Sequence, residues 1–400
     1  MELSDITPLI TSYHRRLANV SLKFKRYLHS DINWNASIIG IKGAKGTGKT
    51  TMLLQRIKEK YANPDDTIYF SLDDLWFKTH DFLELIDYLF THGITELYID
   101  EVHKYEDWGR TLKNICDNYK GIRIVYTGSS MLKIDQYKSD LARRQTLYTL
   151  NAMSFREFLE YNEVLTLPVL SLDEILANHV KISMDICSKV KILKHFGEYL
   201  NHGCYPYFKE EENDFLLRLR STTSEVIETD LPAVSDVSYS TVEKTKKLFM
   251  IVAENVPFQP NISNLATSLD ATRDTCLKML YLLDSANLLR LLTVELKSYK
   301  KLQKPEKIYL SDTNLMYAFS NNADAGTIRE TFFANQLEAT HQIQYTGTGD
   351  FLVDGKYTFE VGGAGKDFSQ IADIPDSFLA VDVETGTGNR IPLCLLGLMY

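Results

Sequence analysis

Gly43, Gly48, Lys49 and Thr50 fill the pattern G-x-x-x-x-G-K-[ST]. Glycine lets the backbone curl so that successive N–H groups point inward at phosphate oxygens. A lysine at this spacing reaches β- and γ-phosphates, and a threonine hydroxyl next to it is a hard oxygen donor suited to Mg²⁺. Ala44, Lys45, Gly46, Thr47 and Thr51 complete the candidate cradle. Such a loop lacks carboxylates, and a second stretch supplies them. Glu96-Leu97-Tyr98-Ile99 is an apolar run that closes on Asp100 and Glu101, 51 residues after Lys49. Asp100 can hold Mg²⁺ through water, and Glu101 can polarise the water that attacks a γ-phosphate. The implied ligand is a nucleoside triphosphate with its metal.

The elements needed to position these groups are legible nearby. Ile38 to Ile41 read as a buried strand, and 50–61 as a helix with Leu53, Leu54 and Ile57 on one face. The helix N-terminus adds partial positive charge beside the loop. Thr67 to Leu72 read as a strand, 80–90 as an amphipathic helix and 107–119 as another. Ile122 to Thr127 form a further buried strand ending in Gly128-Ser129-Ser130. In a parallel sheet a polar group at that edge lies by the γ-phosphate, and Ser129 is the candidate; a plain serine turn is the other account. Asp140-Leu141-Ala142-Arg143-Arg144 precedes a short strand, 146–150. An arginine that stabilises transition-state charge must come from outside the phosphate loop, in cis or from a neighbouring subunit. Arg144 or Arg143 could serve, and a surface salt bridge explains either equally well.

The totals narrow the class. Four hundred residues suggest two or three domains, and 44% hydrophobic with 24% charged residues is an ordinary folded composition. No run reaches the roughly 18–20 apolar residues of a membrane helix, and the first residues lack a basic-then-apolar secretory pattern. Five scattered cysteines show no metal-like spacing, so a reduced cytoplasm is the expected location. A net charge of −9 argues against non-specific coating of nucleic acid. The charge is uneven: 241–310 carry 11 basic against 7 acidic residues, and 321–400 carry 4 against 11. Residues 1–35 read as a basic helical preamble, with Arg15, Arg16, Lys23, Lys25 and Arg26 among apolar positions. Such a stretch either touches nucleic acid or lipid, or is a solvated face packed on the adjoining domain.

The blocks GAKGTGKTT, LYIDEVHKYEDW, IVYTGSS and DLARRQTLYTLNAMSFREFLEY, in this order and spacing, resemble an AAA-type ATPase of a bacterial and archaeal group. The resemblance covers 1–161 well and the rest loosely. It implies an α/β P-loop NTPase fold with a parallel sheet in the order 5-1-4-3-2, adenine as the base, and ATP with Mg²⁺ as cofactors. It implies Lys49 and Thr50 as Walker A, Asp100 and Glu101 as Walker B, Ser129 as sensor 1 and Arg144 as the arginine after the fourth strand. His103 and Trp108 fall in a recurring block and are expected to pack or couple.

Beyond it, 162–239 are mostly helical, and the turn Gly203 to Tyr207 matches one this group places in a helical lid; a plain connector is the alternative. Residues 240–318 follow the succession of a winged helix-turn-helix with Lys297, Lys300, Lys301 and Lys304 at its tip. Such a unit can enter a DNA groove with Thr272, Arg273, Thr275 and Lys278, or dock a protein partner or a second copy. Residues 319–400 resemble a restriction-endonuclease-like domain, with Glu330, Asp350 and Glu360 as acidic positions and Asp350 and Glu360 as candidate metal ligands. There E-x-K reads Glu360-Val361-Gly362, so the lysine is missing, with Lys366 a substitute from a glycine-rich loop as the alternative to the leading expectation, a catalytically degenerate, interaction-making domain. The leading expectation is ATP hydrolysis driving a switch or remodelling step near DNA. The alternatives are a slow-turnover scaffold and an ATP-gated nuclease.

Overall fold

In a computed structural model the chain is described at residues 1–60, 66–128, 141, 143–210, 212–232, 238–294, 302–320 and 323–400. It forms two compact units, Met1–Asn151 and Ala152–Tyr400.

The first unit is built on a five-stranded parallel sheet. Its strands are β1 (Ile38–Lys42), β2 (Thr67–Ser71), β3 (Glu96–Asp100), β4 (Arg123–Gly128) and β5 (Gln145–Thr149). They lie in the order β2-β3-β4-β1-β5, which is the expected order read from the other edge. Ile38, Ile39 and Ile41 are buried, as both faces of a helix-covered parallel sheet require. Each such side chain contributes about 1.5–3 kcal/mol by leaving water. Ile38 pairs with Ile124 and Gln145, and Lys42 with Gly128 and Thr149. This register brings the C-terminal ends of β1, β4 and β5 to one edge. The phosphate loop springs from that edge into the helix Lys49–Lys60, where Met52, Leu53 and Ile57 are fully buried.

The preamble differs from expectation. Helices span only Leu3–Asn19, which seats Ile6, Leu9 and Tyr13 in the core, and the short turn Leu28–Asp31. Residues 20–27 are not helical. Arg15, Arg16 and Lys23 are exposed, whereas Arg26 is buried.

The second unit begins inside the stretch read from sequence as part of the first. The helix Phe155–Tyr161 is capped by Ser154 in a capping box with Glu157. Phe155 packs edge-on against Phe196 and tilted on Tyr199, and Phe158 packs edge-on against Tyr199 and tilted on Phe208, so these aromatic contacts place the helix in the second unit. Helices Leu172–Cys187, Ile192–His202 and Phe215–Glu225 follow, the latter two packed on the helix Thr313–Phe319. Tyr239–Asn255, Ile262–Ser268 and Arg273–Ser285 come next, then an antiparallel hairpin of β6 (Leu289–Leu292) and β7 (Lys307–Leu310). The chain ends in a five-stranded mixed sheet: β8 (Ile343–Gln344), β9 (Phe351–Val353), β10 (Tyr357–Gly362), β11 (Ser377–Val381) and β12 (Arg390–Pro392). β8 to β10 are antiparallel, β10 to β12 parallel, and the helix Ala325–Leu337 packs on β10. Leu393–Leu398, an apolar run that by pattern suits strand or helix, is a 3₁₀ helix buried among helices.

Candidate nucleotide-binding site

Glycine chemistry shapes the loop. A Cβ on Gly43 would collide with the Leu150 carbonyl oxygen, and Gly46 and Gly48 take left-handed φ values of 86° and 95°. The Thr47 hydroxyl donates to the Ala44 carbonyl at 2.9 Å, tightening the turn. Lys49 is buried at 5% exposure, and its ammonium donates to the Gly43 and Ala44 carbonyls at 3.0 and 2.9 Å. The sequence-predicted cradle residues 43–51 therefore form one continuous loop and helix start.

Asp100 ends β3 at the same edge. The Thr50 hydroxyl donates to its Oδ2 at 2.6 Å, and the Tyr69 hydroxyl donates to the same oxygen at 2.9 Å. The Thr127 hydroxyl donates to Oδ1. Burial, with the Asp100 charge next to it, holds the Tyr69 phenol protonated well above its ordinary range. Three hydroxyls thus fix one carboxylate 3% exposed. Thr127 also accepts from the Glu101 amide at 3.4 Å. Tyr69 and Thr127 were not singled out from sequence; both sit on strand positions that also satisfy a β-strand pattern, so no local signal marks them.

Glu101 has a left-handed backbone, φ 53° and ψ 44°, uncommon for a residue with a Cβ. The turn carries its side chain off the strand axis, where Oε2 lies 3.2 Å from Nδ1 of the buried His103. Trp108 is buried and packs against Tyr126, a core role.

Arg144 is placed elsewhere. It precedes β5 at the N-terminal edge of the sheet, and its guanidinium pairs with Asp117 at 2.8 Å. A five-residue parallel strand separates the edges by roughly 15 Å, so Arg144 does not flank the phosphate loop of its own chain. Ser129 lies outside the described residues, as do Lys297, Lys300 and Lys301.

A second constellation lies in the other unit. The Lys307 ammonium on β7 is 3.5 Å from Glu330 and 3.4 Å from Asp350, and the Tyr309 hydroxyl donates to Glu330 at 2.6 Å. The Val361 amide donates to Asp350 at 2.9 Å. Lys366 returns to Glu360 at 2.5 Å, its stem lying over Gly362 where a Cβ would stand 2.8 Å from it. Burial opposes charge on Lys307, but Glu330 and Asp350 outweigh it and hold the ammonium above the usual range. Burial raises Glu330 and Glu360. Asp350 and Glu360, expected as candidate metal ligands, each lie against a lysine, Lys307 and Lys366 respectively. Among the described residues no group of three or more His, Cys, Asp or Glu side chains is arranged to hold a metal.

Near the hairpin, Thr272 caps the helix Arg273–Ser285 by accepting from the Thr275 amide at 3.1 Å. A polar cleft of about 420 Å³ beside it is lined by Asn261, Arg273, Lys304, Glu306 and Tyr345 among others.

The sheet order, the glycine-rich loop after β1 and the acid-ended β3 define a P-loop nucleoside-triphosphatase fold. Residues 35–159 match the family model of an AAA domain, and 193–325 that of a domain of unknown function, DUF8612. The uncharacterized protein MJ1637 of Methanocaldococcus jannaschii is 28% identical over 324 residues, 76% of this chain and 67% of the relative. Among solved structures, the Walker-type ATPase PABY2304 of Pyrococcus abyssi is similar at TM-score 0.39 and 13% identity, over 74% of this chain and 95% of that one. AMPPCP-bound DnaA from Aquifex aeolicus is similar at TM-score 0.27 and 16% identity, over 63% and 83%. Among the described residues no helix is long and apolar enough to cross a membrane.

Proposed function

We propose that the chain binds ATP with Mg²⁺ and hydrolyses it to ADP and phosphate, driving a conformational change that acts on or near DNA. The observation that carries this reading is the 2.6 Å contact between Thr50 and Asp100, which joins the phosphate loop to the acid-ended strand. A hydroxyl and a carboxylate oxygen are the donor set a hard divalent cation takes, so Thr50 and Asp100 fit the cation that would neutralise phosphate charge there. Lys49 and the loop amides hold the phosphates, and Glu101 accepts the proton of the attacking water. The DNA half of the reading is supported by a three-helix and hairpin succession at 239–310, read as a winged helix, with Arg273 and Lys304 exposed on one cleft. Phosphate release from ATP by the purified chain, with Mg²⁺ and with a chelator, tests it. Release should need the metal and change on adding duplex DNA. Absence of both release and ATP binding overturns the reading; indifference to DNA removes its DNA half.

A second reading, an ATP-gated nuclease, is favoured by one feature: Lys366 fills the place over Gly362 and reaches Glu360. Plasmid incubated with ATP and Mg²⁺ or Mn²⁺ should then be nicked by the unaltered chain and not by Asp350→Ala. Intact plasmid in both arms removes this reading.

A further inference from the structure

The phosphate loop is braced by a strap that precedes the matched AAA segment. Residues 20–27 run beside the helix that follows the loop. Gln55 on that helix donates to the Ser21 and Phe24 carbonyls, both at 2.7 Å, and Lys58 donates to Val20 at 2.7 Å. Lys25 pairs with Glu59 at 2.8 Å. Held in this way, the strap delivers Arg26 into the interior at 4% exposure. One guanidinium nitrogen donates to the Thr47 carbonyl within the loop, and the other donates to the Asn151 carbonyl at 2.9 Å. Its neighbour repeats the tie: the Tyr27 hydroxyl donates to the Thr149 carbonyl at 3.1 Å and accepts from the Asn151 side chain at 3.1 Å.

A loop whose N–H groups face an anion must turn carbonyls the other way, and a buried carbonyl needs a donor. A guanidinium offers a rigid fork that can serve two carbonyls at once. We infer that Arg26 is a positioning residue for the phosphate cradle: by holding the Thr47 carbonyl outward and anchoring it to the end of β5, it aims the loop amides at the α- and β-phosphates. It does not touch the γ-phosphate itself. The inference rests on the nucleotide-binding reading above and extends it to a segment outside the matched residues.

The test compares ATP, ADP and AMP affinity, by competition against a fluorescent ATP analogue, for the unaltered chain, Arg26→Met and Arg26→Lys, with Lys49→Ala alongside. Arg26→Met should weaken ATP and ADP together by about tenfold, the size expected for a lost charge-assisted hydrogen bond. AMP, which offers the loop only an α-phosphate, should be weakened less than ATP and ADP. Arg26→Lys, which keeps the charge but not the fork, should fall between. Unchanged ATP and ADP affinity in Arg26→Met overturns the inference, as does a loss confined to ATP, which would mean direct γ-phosphate contact. Should Arg26→Met fail to fold, Arg26→Lys decides by the same criterion. If Lys49→Ala also binds ATP normally, the nucleotide reading itself has failed, which is a separate outcome.

Discussion

Lys49→Ala is expected to bind ATP at least about 100-fold more weakly than the unaltered chain, since a hydrogen bond to a charged group contributes about 1.5–3 kcal/mol and this lysine meets two phosphates. The side chain is 5% exposed and its ammonium already lies at the mouth of the loop, on the Gly43 and Ala44 carbonyls. Alanine removes that charge without disturbing Met52, Leu53 or Ile57, which seat the helix. Far-ultraviolet circular dichroism should therefore match the unaltered protein. Titration calorimetry with ATP and Mg²⁺ reads the affinity. Equal affinity for the two proteins would mean that this loop is not a phosphate cradle.

Replacing Glu101 by glutamine should separate binding from turnover. Glutamine keeps the shape but cannot take a proton, and loss of a general base costs about 10²–10⁴-fold in rate. ATP affinity should be nearly unaltered, because the carboxylate proposed to face the metal is Asp100, held by Thr50, Tyr69 and Thr127. Single-turnover phosphate release together with calorimetry distinguishes the outcomes. A variant that hydrolyses ATP at the original rate would leave the acid at the end of β3 without a chemical task.

The loop, the acid pair and the strands of the first sheet were legible because each has a local signature, whereas the order of those strands followed only from the family resemblance. A glycine–lysine–threonine spacing, an apolar run closing on two acids and alternating strand and helix patterns need no knowledge of distant residues. The features that sequence left hidden are pairings between distant residues. Arg26 stands among four other basic positions and resembles them, yet its carbonyl partners are Thr47 and Asn151, one of them 125 residues away. Tyr69 and Thr127 are unremarkable strand residues until the register sets them against Asp100. Arg144 has a suitable type and a suitable neighbourhood in the chain, but strand direction sends it to the opposite edge from the loop. Lys366 was foreseen only as an option, since its approach to Glu360 depends on Gly362 yielding space. The aromatic face of Phe155–Tyr161 says that the helix is buried, not against what.

The position of β1 between β4 and β5 has a consequence for how this protein is made. β1 is hydrogen-bonded on one side to Ile124–Gly128 and on the other to Gln145–Thr149. A growing chain therefore exposes this apolar strand on the ribosome until the next hundred or so residues have followed. Pairings of such long sequence separation form slowly and leave strand edges open to aggregation in the interval. Truncations ending before β5 should accumulate as insoluble or chaperone-bound material, while those ending just past Asn151 have every strand of the first sheet.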